Sequence, residues 1–286
     1  MKRHLLVAAM MALMTTPAAA YTSYLKPQNY WPEERTVTIE GSFASQFFAP
    51  QIAVPVEVQG LGPTGAVVFG QIAVEGPLTR LSADLPVGGT YRITTGEQLG
   101  NVATLVAIDG QWRPLAQGEA PPPDAPVQTL QTVTVADTYV TRGQADRAAV
   151  DQPHSRLAIR PVTHPNQVLA AQGVEVEVLF DGAPLANSAV VLYRDGDADS
   201  DLDTFVATDA MGRAHFMVDG PGHYVLAARH RTEMPAGSAA QIGSYTTTFT
   251  FEALSELPAG FDVAERERER ERSERPRRRL MDRYNR

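Results

Sequence analysis

Five histidines lie beyond the first twenty residues: His154, His164, His215, His223 and His230. Imidazole binds divalent transition ions, so their spacing is the first chemical question. His215, His223 and His230 fall in one stretch, Gly212–His230, whose Asp219-Gly220-Pro221-Gly222 centre reads as a turn. His223 and His230 are seven apart, which on an unbroken strand puts them on opposite faces. Glu233 follows His230 by three residues, close enough for a turn to bring carboxylate and imidazole together. His230 with Glu233 is therefore the candidate metal pair, for nickel, cobalt, copper or iron. His154 falls in a connecting loop and is expected to contribute nothing to such a site.

Other chemistry is poorly served. There is no cysteine, which removes disulfides and thiolate sites. The chain contains no Gly-x-Ser-x-Gly, no His-Glu-x-x-His and no Gly-rich loop opening a helix. A non-enzymatic protein is expected. The loop Asp195–Asp203 alternates carboxylates like a calcium loop, but the sixth and twelfth positions fail in every register. A solvated acidic loop is the reading.

Strands must position these residues. Val174, Val176 and Val178 alternate with Glu175, Glu177 and Leu179, the period of a half-buried strand. Ala189–Tyr193 reads as the next strand across the Asp181-Gly182 turn, and Tyr245–Phe251 alternates Thr with aromatic residues. Earlier strands are expected over 35–43, 52–58, 67–74, 90–94 and 102–108, with Pro55 demoting the second to an edge or bulge. The fold class is all-β: two immunoglobulin- or transthyretin-like antiparallel sandwiches in tandem. Residues 21–118 form the first and 156–254 the second. Residues 119–155 form a Pro-rich linker with a connecting strand.

The ends are distinct. Met1–Ala20 has a basic start, a short apolar run and an Ala-x-Ala site, a secretory signal peptide with cleavage after Ala20. The run is too short to span a bilayer, and no later stretch qualifies. Residues 255–286 form a charged tail, disordered or frayed helix, able to touch anionic lipid. The chain sums to −8; the first twenty residues carry +2 and the tail from Phe261, ten Arg against seven acids, +3. That leaves −13 for 21–260, which argues against nucleic acid and toward cationic ligands.

Four stretches carry a family resemblance. They are YTSYLKP at 21–27 with VTIEGSFASQFFAP at 37–50, DTYVTRG at 137–143, LAIRPVTHPNQVLAAQGVEVEVLFDGAPLANSAVVLY at 157–193, and the Gly212–His230 stretch. Together they resemble the DUF4198 family, exported β-rich proteins often described as periplasmic components of cobalt or nickel uptake. Tyr21 stands where the family often has a histidine at the new N-terminus. The resemblance implies a periplasmic binding or accessory protein for a transition-metal ion or complex, partnered by an envelope transporter or outer-membrane receptor. The alternative is a structural or protein-interaction module of the envelope with no small ligand.

Overall fold

The computed structural model describes residues 21–116, 118–152 and 154–258. The signal peptide expected over 1–20 and nearly all of the charged tail lie outside them. Among the described residues every regular element is a strand. The first half holds β1 (Thr22–Pro27), β2 (Thr36–Ala44), β3 (Ile52–Ala53), β4 (Gln59–Gly62), β5 (Gly65–Ala66) and β6 (Val68–Glu75). It continues with β7 (Leu78–Asp84), β8 (Gly89–Thr94), β9 (Gln98–Ile108) and β10 (Gln111–Pro114). The long β11 (Val127–Arg142) follows. The second half holds β12 (Leu157–Pro161), β13 (Val168–Leu169), β14 (Val174–Phe180), β15 (Ala183–Pro184) and β16 (Ala189–Arg194). The chain then runs through β17 (Phe205–Ala207), β18 (Arg213–Phe216), β19 (Gly222–Glu233) and β20 (Ile242–Leu254).

One large sheet joins strands of both halves in the order β17-β16-β19-β20-β11-β8-β4-β5. Its centre is β11, which sits in the stretch read from sequence as a linker with a connecting strand. On one side β11 pairs β20 in parallel, from Leu130↔Ile242 to Thr138↔Thr250. On the other it pairs β9 and then β8, both antiparallel, with a bulge between Gln131 and Val133. The parallel pair departs from the all-antiparallel expectation. Period-2 alternation gives a strand its faces but not its neighbours.

Each face of that sheet is covered. Tyr245, Phe249 and Phe251 of β20 and Tyr224 and Leu226 of β19 meet Val174, Val176 and Val178 of β14. Those three valines belong to a four-stranded sheet in which β12 lies on one edge of β14, and β18 and then β15 on the other. The opposite face is covered at one end by a five-stranded sheet, β1-β2-β7-β6 with β3 on β2. There Ile39 and Leu81 pack on Ile93, Ala136 and Val140. Over β16 and β19 it is covered by Tyr24 and Phe47, against Val191, Tyr193, Val225 and Ala227.

Local expectations change accordingly. The strand expected over 52–58 shrinks to Ile52–Ala53, as Pro55 supplies no ladder donor. The turn read at Asp219–Gly222 closes no hairpin but a crossover: β18 pairs β14 in the small sheet, and β19 pairs β16 and β20 in the large one. Likewise β14 is followed by the short β15, while β16 crosses to the large sheet. Gly173 turns the chain into β14 with φ of 73°, and a Cβ there would lie 2.1 Å from the Phe216 carbonyl oxygen.

Candidate functional site

Arg92 is the lone charge in the apolar stretch TYRIT, and Asp137 the lone charge in VTVADTYVT. β8 and β11 place Arg92 opposite Tyr139 and Thr94 opposite Asp137. Two-residue alternation puts all four on the face that carries Tyr139 toward the small sheet. A charge buried there requires a partner.

The partner comes from the 143–156 loop, whose first half is pinned to two strands. Asp146 accepts the Thr90 amide at 3.0 Å, fixing the loop to β8. Arg147 pairs with Asp151 and donates to the Pro161 carbonyl at 2.7 Å, fixing it to β12. This delivers His154, whose Nε2 meets the Asp137 carboxylate. Arg92 Nη1 donates to His154 Nδ1 at 2.9 Å and to the Gln152 carbonyl at 2.6 Å. Since Nδ1 accepts from a guanidinium, the ring proton sits on Nε2 and is donated to Asp137. The His154 and Asp137 side chains are 8% and 1% exposed. Burial pushes the Asp137 carboxyl up, but His154 and Arg92 outweigh it and hold it below the usual carboxylate range. Burial, then the Asp137 charge, pushes the Tyr139 phenol up.

Across the β8–β11 ladder Tyr139 also interacts with Arg92, and Asp137 with Thr94, so the cluster is closed on itself. On its outer side the His154 ring lines two adjoining clefts. One, about 120 Å³, lies against Val150, Ile159 and Leu179. The other, about 590 Å³ and open, is walled by Gln59, Glu97, Arg156 and Asp181. Arg156 pairs with Asp181 at 2.7 Å while its guanidinium lies 4.9 Å from the Phe180 ring centre and 5.2 Å from that of Tyr245. With both nitrogens engaged, the His154 imidazole is neither a free base nor a free metal ligand as it stands.

The pair read from sequence is placed otherwise. β19 continues unbroken through Glu233, which pairs Ile242, while His230 pairs Tyr245. The turn expected between His230 and Glu233 is a strand, so the two project from opposite faces. His230 packs on Phe180, ring centres 4.6 Å apart, and burial lowers its pKa. His223 stacks on Tyr30 at 5.8 Å and burial lowers its pKa as well. His215 sits on β18 and donates to the Gln172 carbonyl at 3.1 Å. Among the described residues no three His, Cys, Asp or Glu side chains gather around a common point suited to an ion.

The acidic loop is largely solvated, with Asp195, Asp201 and Asp203 exposed, and is anchored to the protein through Asp199. Asp199 is buried and paired with Arg229, which also reaches Tyr193 Oη at 3.3 Å. Asp197 and Asp201 accept the backbone amides of Arg194 and Asp203. The Asp199 amide donates to the Ser45 carbonyl at 2.8 Å, and Phe47 donates to the Asp197 carbonyl at 2.9 Å. The loop fastens the segment after β2 to the large sheet.

Among solved structures, the chain is similar to the D0–D1 domain of intimin, at 14% identity and a TM-score of 0.21, covering 79% of this chain and 96% of that one. It is also similar to the Yersinia pseudotuberculosis adhesin InvE (11%, TM-score 0.19, 82% and 61%). The D00–D0 domain of intimin matches at 13% and a TM-score of 0.19, over 81% and 99%. Backbone agreement this low supports no inference about function. No curated protein matches the chain. The profile of a domain of unknown function, DUF4198, matches residues 18–232, and the chain belongs to that family.

Proposed function

We propose that the protein is a non-enzymatic interaction module of the bacterial cell envelope, exported to the periplasm by cleavage after Ala20. The observation that carries this reading is the parallel β11–β20 pair, which joins both halves through one sheet and makes them a single stiff platform. Such a platform offers sheet edges to a partner, the longest in the N-terminal half being β6 at the margin of the five-stranded sheet. Val68 and Val74 on that strand are 68% and 57% exposed. An exposed edge pairs readily with an added strand. Transition-metal uptake, the reading favoured by the sequence, loses its ligand pair to the two faces of β19.

The test is photocrosslinking in intact cells. Benzoylphenylalanine at position 68 or 74 is expected to give one discrete adduct, and the same probe at Met217, on the opposite half, none. Absence of adducts at all three positions, together with micromolar binding of nickel or cobalt to the purified mature chain, would overturn the reading in favour of a metal carrier.

A further inference from the structure

We propose that the outer edge of β17, with the loop that leads into it, is the docking surface for a segment of this same chain, Arg277-Arg278-Arg279-Leu280-Met281. β17 ends the large sheet and pairs only with β16, so its other edge is unpaired. Phe205 on that strand is 53% exposed, and Leu202, three residues earlier, is 41% exposed. Asp201 and Asp203 flank Leu202; both are exposed, and neither has an ion-pair partner among the described residues. Asp195, at the start of the loop, is also exposed and lies 3.8 Å from Lys26. Between residues 194 and 207 the sequence holds one cation, Arg194. An apolar strand edge set among free carboxylates calls for an occupant that is both basic and apolar.

Charge and chain path select that occupant. Segment 277–281 lies outside the described residues and carries three guanidinium groups followed by two apolar side chains. Arginine pairs with carboxylates through two parallel hydrogen bonds, so it suits Asp195, Asp201 and Asp203. The end of β20 lies at the same end of the large sheet as the acidic loop. Ala253 pairs Gly222, Tyr224 pairs Arg194, and the His223 carbonyl accepts the Asp195 amide at 3.3 Å. β17 stands three strands away from β20, roughly 15 Å at about 4.8 Å per strand. Phe205 aligns through Val191 and Ala227 with Thr248, five residues or roughly 17 Å back from Ala253. From Leu254 to Arg277 the chain advances 277 − 254 = 23 residues. At about 3.3 Å per residue that length far exceeds the separation. Exposed ion pairs are individually weak and screened by salt, but a tethered segment meets its surface at a high effective concentration. Docked, it guards the β17 edge against pairing with another chain. The β6 edge belongs to the other half, and neither inference rests on the other.

The test uses the full mature chain, which has no cysteine, so that Ser273→Cys provides a single attachment point for a nitroxide. Paramagnetic broadening of the amide NMR signals of 201–207 is read at about 0.01 M and about 1 M salt, where the screening length falls from about 30 to about 3 Å. Broadening is expected at the lower salt and should be lost at the higher. Arg277→Glu, Arg278→Glu and Arg279→Glu combined should abolish it at low salt, and adding Asp201→Arg with Asp203→Arg should restore it. No broadening of 201–207 at low salt would overturn the proposal, as would broadening that survives the triple charge reversal. Broadening that grows with protein concentration would assign the edge to the segment of a second copy and overturn the intramolecular occupant.

Discussion

The imidazole of His154 and the carboxylate of Asp137 meet inside the protein, 17 residues apart in the chain, one on a loop and the other at the centre of the large sheet. With Arg92 they form the buried polar joint between that sheet and the loop leading into the second half. Removing one member leaves a buried charge without its partner. His154→Ala should therefore destabilise the protein by about 2–4 kcal/mol in urea unfolding. A change below roughly 0.5 kcal/mol, the level of an ordinary surface substitution, would show that the joint does not hold the halves.

The same joint gives an acid dependence. The Asp137 pKa is lower in the folded state than in the unfolded chain. Its contribution is thus full above the unfolded value, about 3.9, and is lost as pH falls through the lower folded value. Asp137→Asn should remove that part of the acid sensitivity, seen as a flatter urea midpoint between about pH 5 and 3. An unchanged slope would contradict the assignment.

Histidine burial adds a second window at higher pH. Burial lowers the pKa values of His164, His223 and His230, so the unfolded chain takes up protons that the folded protein refuses. Stability should fall as pH drops below about 6.5, the unfolded histidine value. His223→Gln should shrink the difference between urea midpoints measured at about pH 7.5 and 5.5. A wild type equally stable at both would rule this out.

The acidic loop is predicted to act as a fastener. Asp199→Ala breaks the pair with Arg229, whose side chain is 34% exposed, so the effect is discounted for solvent to about 1–2 kcal/mol. Millimolar calcium should not raise the melting temperature of the wild type. A calcium-dependent rise would restore the cation-site alternative.

Gly173→Ala tests the entry to β14. It forces a Cβ onto φ of 73° and against the Phe216 carbonyl, and should cost at least about 2 kcal/mol in urea unfolding. A neutral substitution would mean that the turn relaxes freely.

Much of the fold was legible because burial writes a period of two into a strand. Val174, Val176 and Val178 announce β14, and the Thr–aromatic alternation announces β20, with its aromatic residues on one core and Thr248 bonded to the Ser23 carbonyl on the other side. Pairing was not legible, since β18 and β19 look like a hairpin until β18 is seen on the small sheet. β7 escaped notice because its inner positions, Thr79, Leu81 and Ala83, include a polar and a small residue. The site was half visible. Lone charges at Arg92 and Asp137 inside the uncharged stretches around them signal buried charges that need partners, but their meeting with His154 depends on a loop path that no periodicity encodes. His230 and Glu233 show the converse: a strand continues where a turn was expected, which sets the two on opposite faces.

The continuity of the large sheet across both halves is tested most directly by differential scanning calorimetry of the full mature chain. Joined through β11 and β20, the halves should unfold together, in one transition whose calorimetric and van't Hoff enthalpies agree. Two resolved transitions, each with its own enthalpy, would contradict the single platform on which the proposed function rests.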